Sequence, residues 1–127
     1  MNPIALDTNI AIDLLNGKDD VIQKYEKYLS IYLPVTVCGE LLFGTLNSEN
    51  SKINLLKYLS FISVRIILEI DFTIAEQYAS IRKRLKDLGT PIPENDIWIA
   101  ATCMVHEMQL ATNDKHFSKI EGLKLYE

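Results

Sequence analysis

Short runs of β-forming apolar residues take turns with longer stretches of helical spacing along the whole of this 127-residue chain. Ile4-Ala5-Leu6 is the first run, and residues 33–35, 64–70, 109–112 and 123–126 are the others. After the first, Ile10, Ala11, Ile12, Leu14 and Leu15 outline a short helix stopped at Gly17, with Thr8 and Asn9 as capping residues. Val21, Ile22, Tyr25, Tyr28 and Leu29 then repeat at helical spacing. Further helices are expected over 37–47, with Thr36 as cap, and over 53–62, 72–88 and 94–108. The clearest is 72–88, where Ile74, Tyr78, Ile81, Leu85 and Leu88 share a face and Gly89 closes the run. Pro91 and Pro93 make a stiff connector into the last helix, which is apolar nearly all round. Strands that alternate with helices pair in parallel through right-handed crossovers. Helices then cover both faces of the sheet, and ligands gather beyond the carboxyl ends of the strands. The expected class is α/β, with residues 1–127 forming a single domain free of repeats and linkers.

In such a sheet, strand ends and the starts of the following helices lie along one edge, and acids fall at those places. Asp7 ends the first strand, and Glu40 lies in the first turns of the helix after the second. Asp96 opens the helix after the prolines, and Asp114 follows the strand that ends at Thr112. Each has an ordinary reading by itself: a helix cap for Asp7, a dipole-favoured helix residue for Glu40 and Asp96, a turn for Asp114. Read together they predict one cleft, with Thr8, Asn9, Thr112 and Asn113 beside it to hold carboxylates or waters.

Gathering acids has a cost. Two unit charges about 4 Å apart repel by roughly 4 kcal/mol at an effective dielectric near 20. A divalent cation relieves it, and oxygen-only ligands suit Mg²⁺ or Mn²⁺. Such an ion activates water and polarises a phosphoryl oxygen, so the chemistry expected is hydrolysis of a phosphodiester. The formal net charge is −4, whereas a sequence-neutral nucleic-acid binder is usually basic. Metal bridging and local basic side chains must supply the attraction. Arg82 and Lys86 share a helix face, and Lys18 and Lys115 flank the cleft in sequence; these four are the candidate contacts to a nucleic-acid backbone.

The segments "LDTNIAIDLLNG", "GELLFG", "PENDIWIAA" and "LATNDKHFSKIEGLKLYE", in that order, resemble PIN-domain proteins over nearly the whole chain. The chain is most similar to VapC-type toxins of bacterial toxin–antitoxin pairs. The resemblance implies a three-layer α/β/α fold with a central five-stranded parallel sheet and a Mg²⁺- or Mn²⁺-dependent endoribonuclease. It makes Asp7, Glu40, Asp96 and Asp114 the catalytic, metal-binding quartet, with Thr8, Asn9 and Thr112 as polar support. It implies as partners a small VapB-like antitoxin, a second toxin copy in a homodimer, and a structured RNA such as tRNA. One departure is Tyr126, where the family often carries Trp after the last strand.

The remaining residues read more plainly. His116 is expected as loop material without a catalytic role, because metal-assisted hydrolysis needs no imidazole base. Cys38, Cys103 and Trp98 read as core, and two cysteines make no disulfide framework. Tyr25, Tyr28 and Tyr32 are candidates for a protein-binding face. Ile12, Leu15, Tyr25, Leu55 and Leu59 could line a groove for an antitoxin helix. The amino terminus lacks a basic stretch followed by an apolar run, and no run is long enough to span a bilayer, which predicts cytoplasmic residence. The rival reading is a non-catalytic PIN-fold module that binds RNA or a protein; such a module need not bind metal. No GxxxxGK[ST] or GxGxxG motif supports a nucleotide site.

Overall fold

A computed structural model describes residues 3–25 and 30–126. The elements run β1 (Ile4–Leu6), α1 (Thr8–Leu15), α2 (Asp19–Tyr25), β2 (Ile31–Pro34), α3 (Val35–Leu46) and α4 (Ser51–Ser63). They continue with β3 (Ile66–Leu68), α5 (Phe72–Leu88), α6 (Glu94–Val105) and β4 (Gln109–Ala111), followed by a 3₁₀ turn, Lys115–Lys119. The sheet order is β3-β2-β1-β4, and every pair is parallel.

Three-residue strands persist here because both of their faces are covered. Ile4, Ala5 and Leu6 all have 0% exposure, although successive strand side chains point to opposite faces. Leu33, Leu110 and Ala111 are equally buried in the neighbouring strands. Helices therefore lie on both sides of the central strands, as parallel pairing requires. Each fully buried Ile or Leu contributes roughly 1.5–3 kcal/mol.

The long helix falls where its periodicity predicts. The Asp71 side chain accepts a 2.9 Å bond from the Ile74 N–H, and Gly89 ends the helix at φ 69°. Other boundaries differ for local reasons. Asp7 itself caps α1, in place of Thr8 or Asn9. α3 begins at Val35 because Pro34, with φ −55°, is already set for the turn, which puts Thr36 inside the helix rather than at its cap. α6 ends at Val105, short of 108, because Glu107 adopts a left-handed φ of 53° and turns Met108 back into the core. β3 shrinks to the sheet edge, where Ile66 and Ile67 are exposed.

Among the described residues the sheet has four strands, not the five expected. In the stretch 123–126, only Leu125 pairs with the sheet, through one parallel bridge to Leu110. Bonds from Leu110 N–H to the Lys124 carbonyl and from Tyr126 N–H to the Leu110 carbonyl, both 2.9 Å, hold this stub without extending it. Tyr25 is 2% exposed and packs its ring 5.5 Å from that of Tyr126, so it belongs to the core and not to a partner face or groove. Tyr28 and Leu29, expected in the second helix, lie outside the described residues.

Candidate active site

From β1 the chain crosses to β2 and then β3 on one side, and returns to place β4 on the other side of β1. The crevice between the carboxyl ends of β1 and β4 is thus the switch point of the sheet, where open α/β folds place their ligands. Asp7 stands there, the first residue after β1, 5% exposed. Its N–H continues the ladder to the Ala111 carbonyl at 2.9 Å. Its carboxylate accepts the Thr8 N–H at 2.8 Å and the Thr112 hydroxyl at 2.6 Å.

From Asp7 the bonds run in two directions. The Thr112 hydroxyl oxygen accepts the Asp114 N–H at 2.9 Å, and Asp114 accepts the His116 N–H at 2.9 Å, which starts the 3₁₀ turn. The His116 ring nitrogen Nδ1 then lies 3.0 Å from Asp114 Oδ1 and 3.1 Å from Asp96 Oδ2. On the other side, the Thr8 hydroxyl donates to Glu40 at 2.8 Å. The bonds therefore connect Glu40, Thr8, Asp7, Thr112, Asp114, His116 and Asp96 without a break.

The charges are uncomfortable. Burial pushes the Asp7 carboxyl above its ordinary value and the Asp114 charge adds to this, while the bonds from Thr112 and Thr8 pull it back. Burial likewise raises Asp96, helped by Asp7 and Asp114 and opposed by His116. The field reaches the core. Burial, with a contribution from Asp7, pushes the Cys103 thiol up to about 12, so this fully buried cysteine is an inert packing residue as expected.

Asp96, Asp114 and His116 each offer a ligand atom within 4.8 Å of the others. Two carboxylates and an imidazole fit a divalent ion such as Mn²⁺ or Mg²⁺, the nitrogen suiting the softer Mn²⁺ better. His116, expected as loop material, stands in the 3₁₀ turn and adds a nitrogen donor beside two of the four expected acids. The sequence signal for it was faint: a histidine two residues beyond an acid that caps a turn.

Other expected residues stand further out. Asn9 and Asn113 are exposed and take no part in the bonded network. Lys18 pairs with Asp13 at 3.9 Å and lines a recess of about 260 Å³ that Thr112 and Asn113 also line. Lys115 is exposed at the head of the 3₁₀ turn. Arg82 bonds to Tyr78 at 2.7 Å and to Glu94 at 3.1 Å. With Lys86 it lines a separate recess of about 340 Å³ between α5 and α6. Trp98, half-buried, stacks on Tyr78 with ring centroids 3.8 Å apart.

A parallel α/β sheet with bonded acids at its switch point defines a class of candidate hydrolases. Within that class, this chain belongs to the PIN domain family, whose pattern matches residues 4–123. It is 29% identical over 125 residues to Ribonuclease VapC2 of Rickettsia felis, covering 94% of this chain and 93% of that one. It is 28% identical over 125 residues to Ribonuclease VapC1 of Haemophilus influenzae, covering 94% and 92%. A solved structure of VapBC2 from Rickettsia felis bound to a DNA fragment from their promoter superimposes with a TM-score of 0.90 at 27% identity, covering 98% of this chain and 97% of that one. No helix among the described residues is long and apolar enough to cross a membrane.

Proposed function

We propose that this chain is a metal-dependent endoribonuclease, the toxin of a VapBC-type toxin–antitoxin pair, built as a single PIN-like domain and acting in the cytoplasm. The observation that carries the reading is the unbroken set of hydrogen bonds joining Asp7, Glu40, Asp96 and Asp114 at the switch point. The match to two proteins named Ribonuclease VapC over nearly their full length supports it. Asp7, Asp96 and Asp114, with His116, hold Mg²⁺ or Mn²⁺, and Glu40 borders the same centre. A bound divalent ion supplies a polarised phosphoryl oxygen and a more acidic attacking water. Thr112 and Thr8 keep the Asp7 carboxylate aimed. Glu40, half-buried and held by Thr8, is placed to take a proton from water. Asn9, Asn113, Lys18 and Lys115 border the approach of the RNA, with Arg82 and Lys86 as more distant backbone contacts.

The partner surface has its own support. Leu46, Ile53, Leu56 and Leu59 on α3 and α4 are between 44% and 71% exposed. So much apolar surface in water marks a docking face, and an amphipathic antitoxin helix fits it. The assembly is a toxin homodimer with VapB-like antitoxin, and the substrate is structured RNA such as tRNA.

The test is direct. Asp7→Asn and Asp96→Asn should each abolish Mn²⁺-dependent RNA cleavage and growth arrest while leaving the circular dichroism spectrum unchanged. Full cleavage by either variant would remove the reading. Titration calorimetry with Mn²⁺ on the free protein separates it from a non-catalytic module.

A further inference from the structure

A wide recess of about 620 Å³ opens beside the acids. It is lined by Thr8, Thr36, Gly39, Glu40, Phe43 and Asn95. Thr8 and Glu40 are themselves bonded at 2.8 Å within the network, so the recess and the acidic centre share a wall. Thr36, Gly39, Glu40 and Phe43 fall on one face of α3, since residues three and four apart on a helix are neighbours. Asn95 comes from the first turn of α6, immediately before Asp96.

The lining is suited to a flat, edge-polar ligand. Phe43 is 65% exposed, an aromatic face held in water beside the reaction centre. Among the described residues, the Thr36 hydroxyl and the Asn95 amide make no hydrogen bond, and each both donates and accepts. Gly39 leaves the space between them open: a Cβ there would meet nothing within 4 Å. The amino ends of α3 and α6 both face this region with prolines at their caps and no capping side chain. Their partial positive charge favours a phosphate in an otherwise acidic neighbourhood.

We infer that the recess seats the unpaired nucleobase adjoining the scissile phosphodiester, stacked on Phe43 with its edge bonded by Asn95 and Thr36. Sequence-specific RNA recognition works this way, on bases splayed out of loops and single strands. The inference rests on the ribonuclease reading and adds to it the position at which the RNA sequence is read.

The experiment is Mn²⁺-dependent cleavage of a randomised single-stranded RNA pool, with the ends mapped by sequencing, and steady-state kinetics on one preferred oligonucleotide. Wild type should show a base preference at one position beside the cut. Phe43→Ala should flatten that preference and raise KM about tenfold, in line with the stacking of one base, while kcat changes by less than about threefold. Phe43→Trp should retain the preference. Gly39→Leu fills the recess with a better helix former, so it should keep its melting temperature yet raise KM like Phe43→Ala. Wild-type preference and KM in both Phe43→Ala and Gly39→Leu would overturn the assignment, as would a Phe43→Ala defect confined to antitoxin binding. Absence of any cleavage by wild type overturns the ribonuclease reading itself, and the recess assignment with it.

Discussion

The Thr112 hydroxyl donates a 2.6 Å hydrogen bond to the Asp7 carboxylate, tying the end of β4 to the end of β1 across 105 residues of chain. The same oxygen accepts the Asp114 N–H at 2.9 Å, so one hydroxyl serves two acids. Thr112→Val keeps the shape and removes both bonds. Leaving buried polar groups unpaired costs about 1–3 kcal/mol, which urea unfolding should read. Loss of a group that orients a metal ligand should lower kcat/KM about 10–100-fold. Thr112→Ser should retain most of both.

The raised carboxyls fix the sign of a pH dependence. With folded values above the ordinary 3.8, Asp7 and Asp96 bind more protons in the folded than in the unfolded state between the two values. Their contribution to stability is fully present below the unfolded value and is lost as pH rises through the folded values. In EDTA, the difference in unfolding free energy between wild type and Asp96→Asn should therefore shift against wild type as pH rises from the ordinary carboxyl value of 3.8 through the raised folded value.

Metal should reverse this trend, because it binds the ionised acids. Saturating Mn²⁺, at about 100 times its Kd, should stabilise the wild-type fold by about 2.7 kcal/mol at pH 7. Differential scanning fluorimetry with and without EDTA measures the shift. An unchanged melting point in Mn²⁺ would count against the metal centre.

Asp96→Asn should part stability from activity. Removing a buried charge that other acids repel should raise the melting temperature of the metal-free protein by about 3–5 °C. RNA cleavage should disappear in the same variant. Calorimetric melting beside a cleavage assay checks the pair of outcomes.

Phe117 is the anchor of the 3₁₀ turn that follows Asp114 and carries His116, and it has 0% exposure. Phe117→Ala should cost about 3–5 kcal/mol by chemical denaturation. Below the unfolding transition it should still cleave poorly, because the turn loses its seat. Phe117→Leu should cost less on both counts.

Much of the site was legible because a parallel sheet turns distant positions into neighbours. Asp7 and Asp114 follow strands, Asp96 lies in the first turn of α6 and Glu40 in the second turn of α3, so one edge collects them all. The placement of His116 between two acids was not legible. Its link to Asp114 is local, but its 3.1 Å approach to Asp96 depends on how α6 packs against the 3₁₀ turn. Strand number failed for a related reason. Residues 123–126 have the apolar character of a strand, yet pairing is a matter of register, and only Leu125 finds a partner. Thr36 looked like a cap by residue type, but the fixed φ of Pro34 starts α3 earlier. The direction of a long basic side chain is encoded even less: Arg82 turns to Tyr78 and Glu94, and nothing in "RKRLK" says so.

The order of the site along the polypeptide bears on protein synthesis. A ribosome that has made a hundred residues has delivered Asp7, Glu40 and Asp96, but neither Thr112, Asp114 nor His116. The nascent chain thus lacks a finished centre while it is still tethered beside messenger and transfer RNA. The bonded network closes only once synthesis has passed His116, so its first acids wait for their last partners.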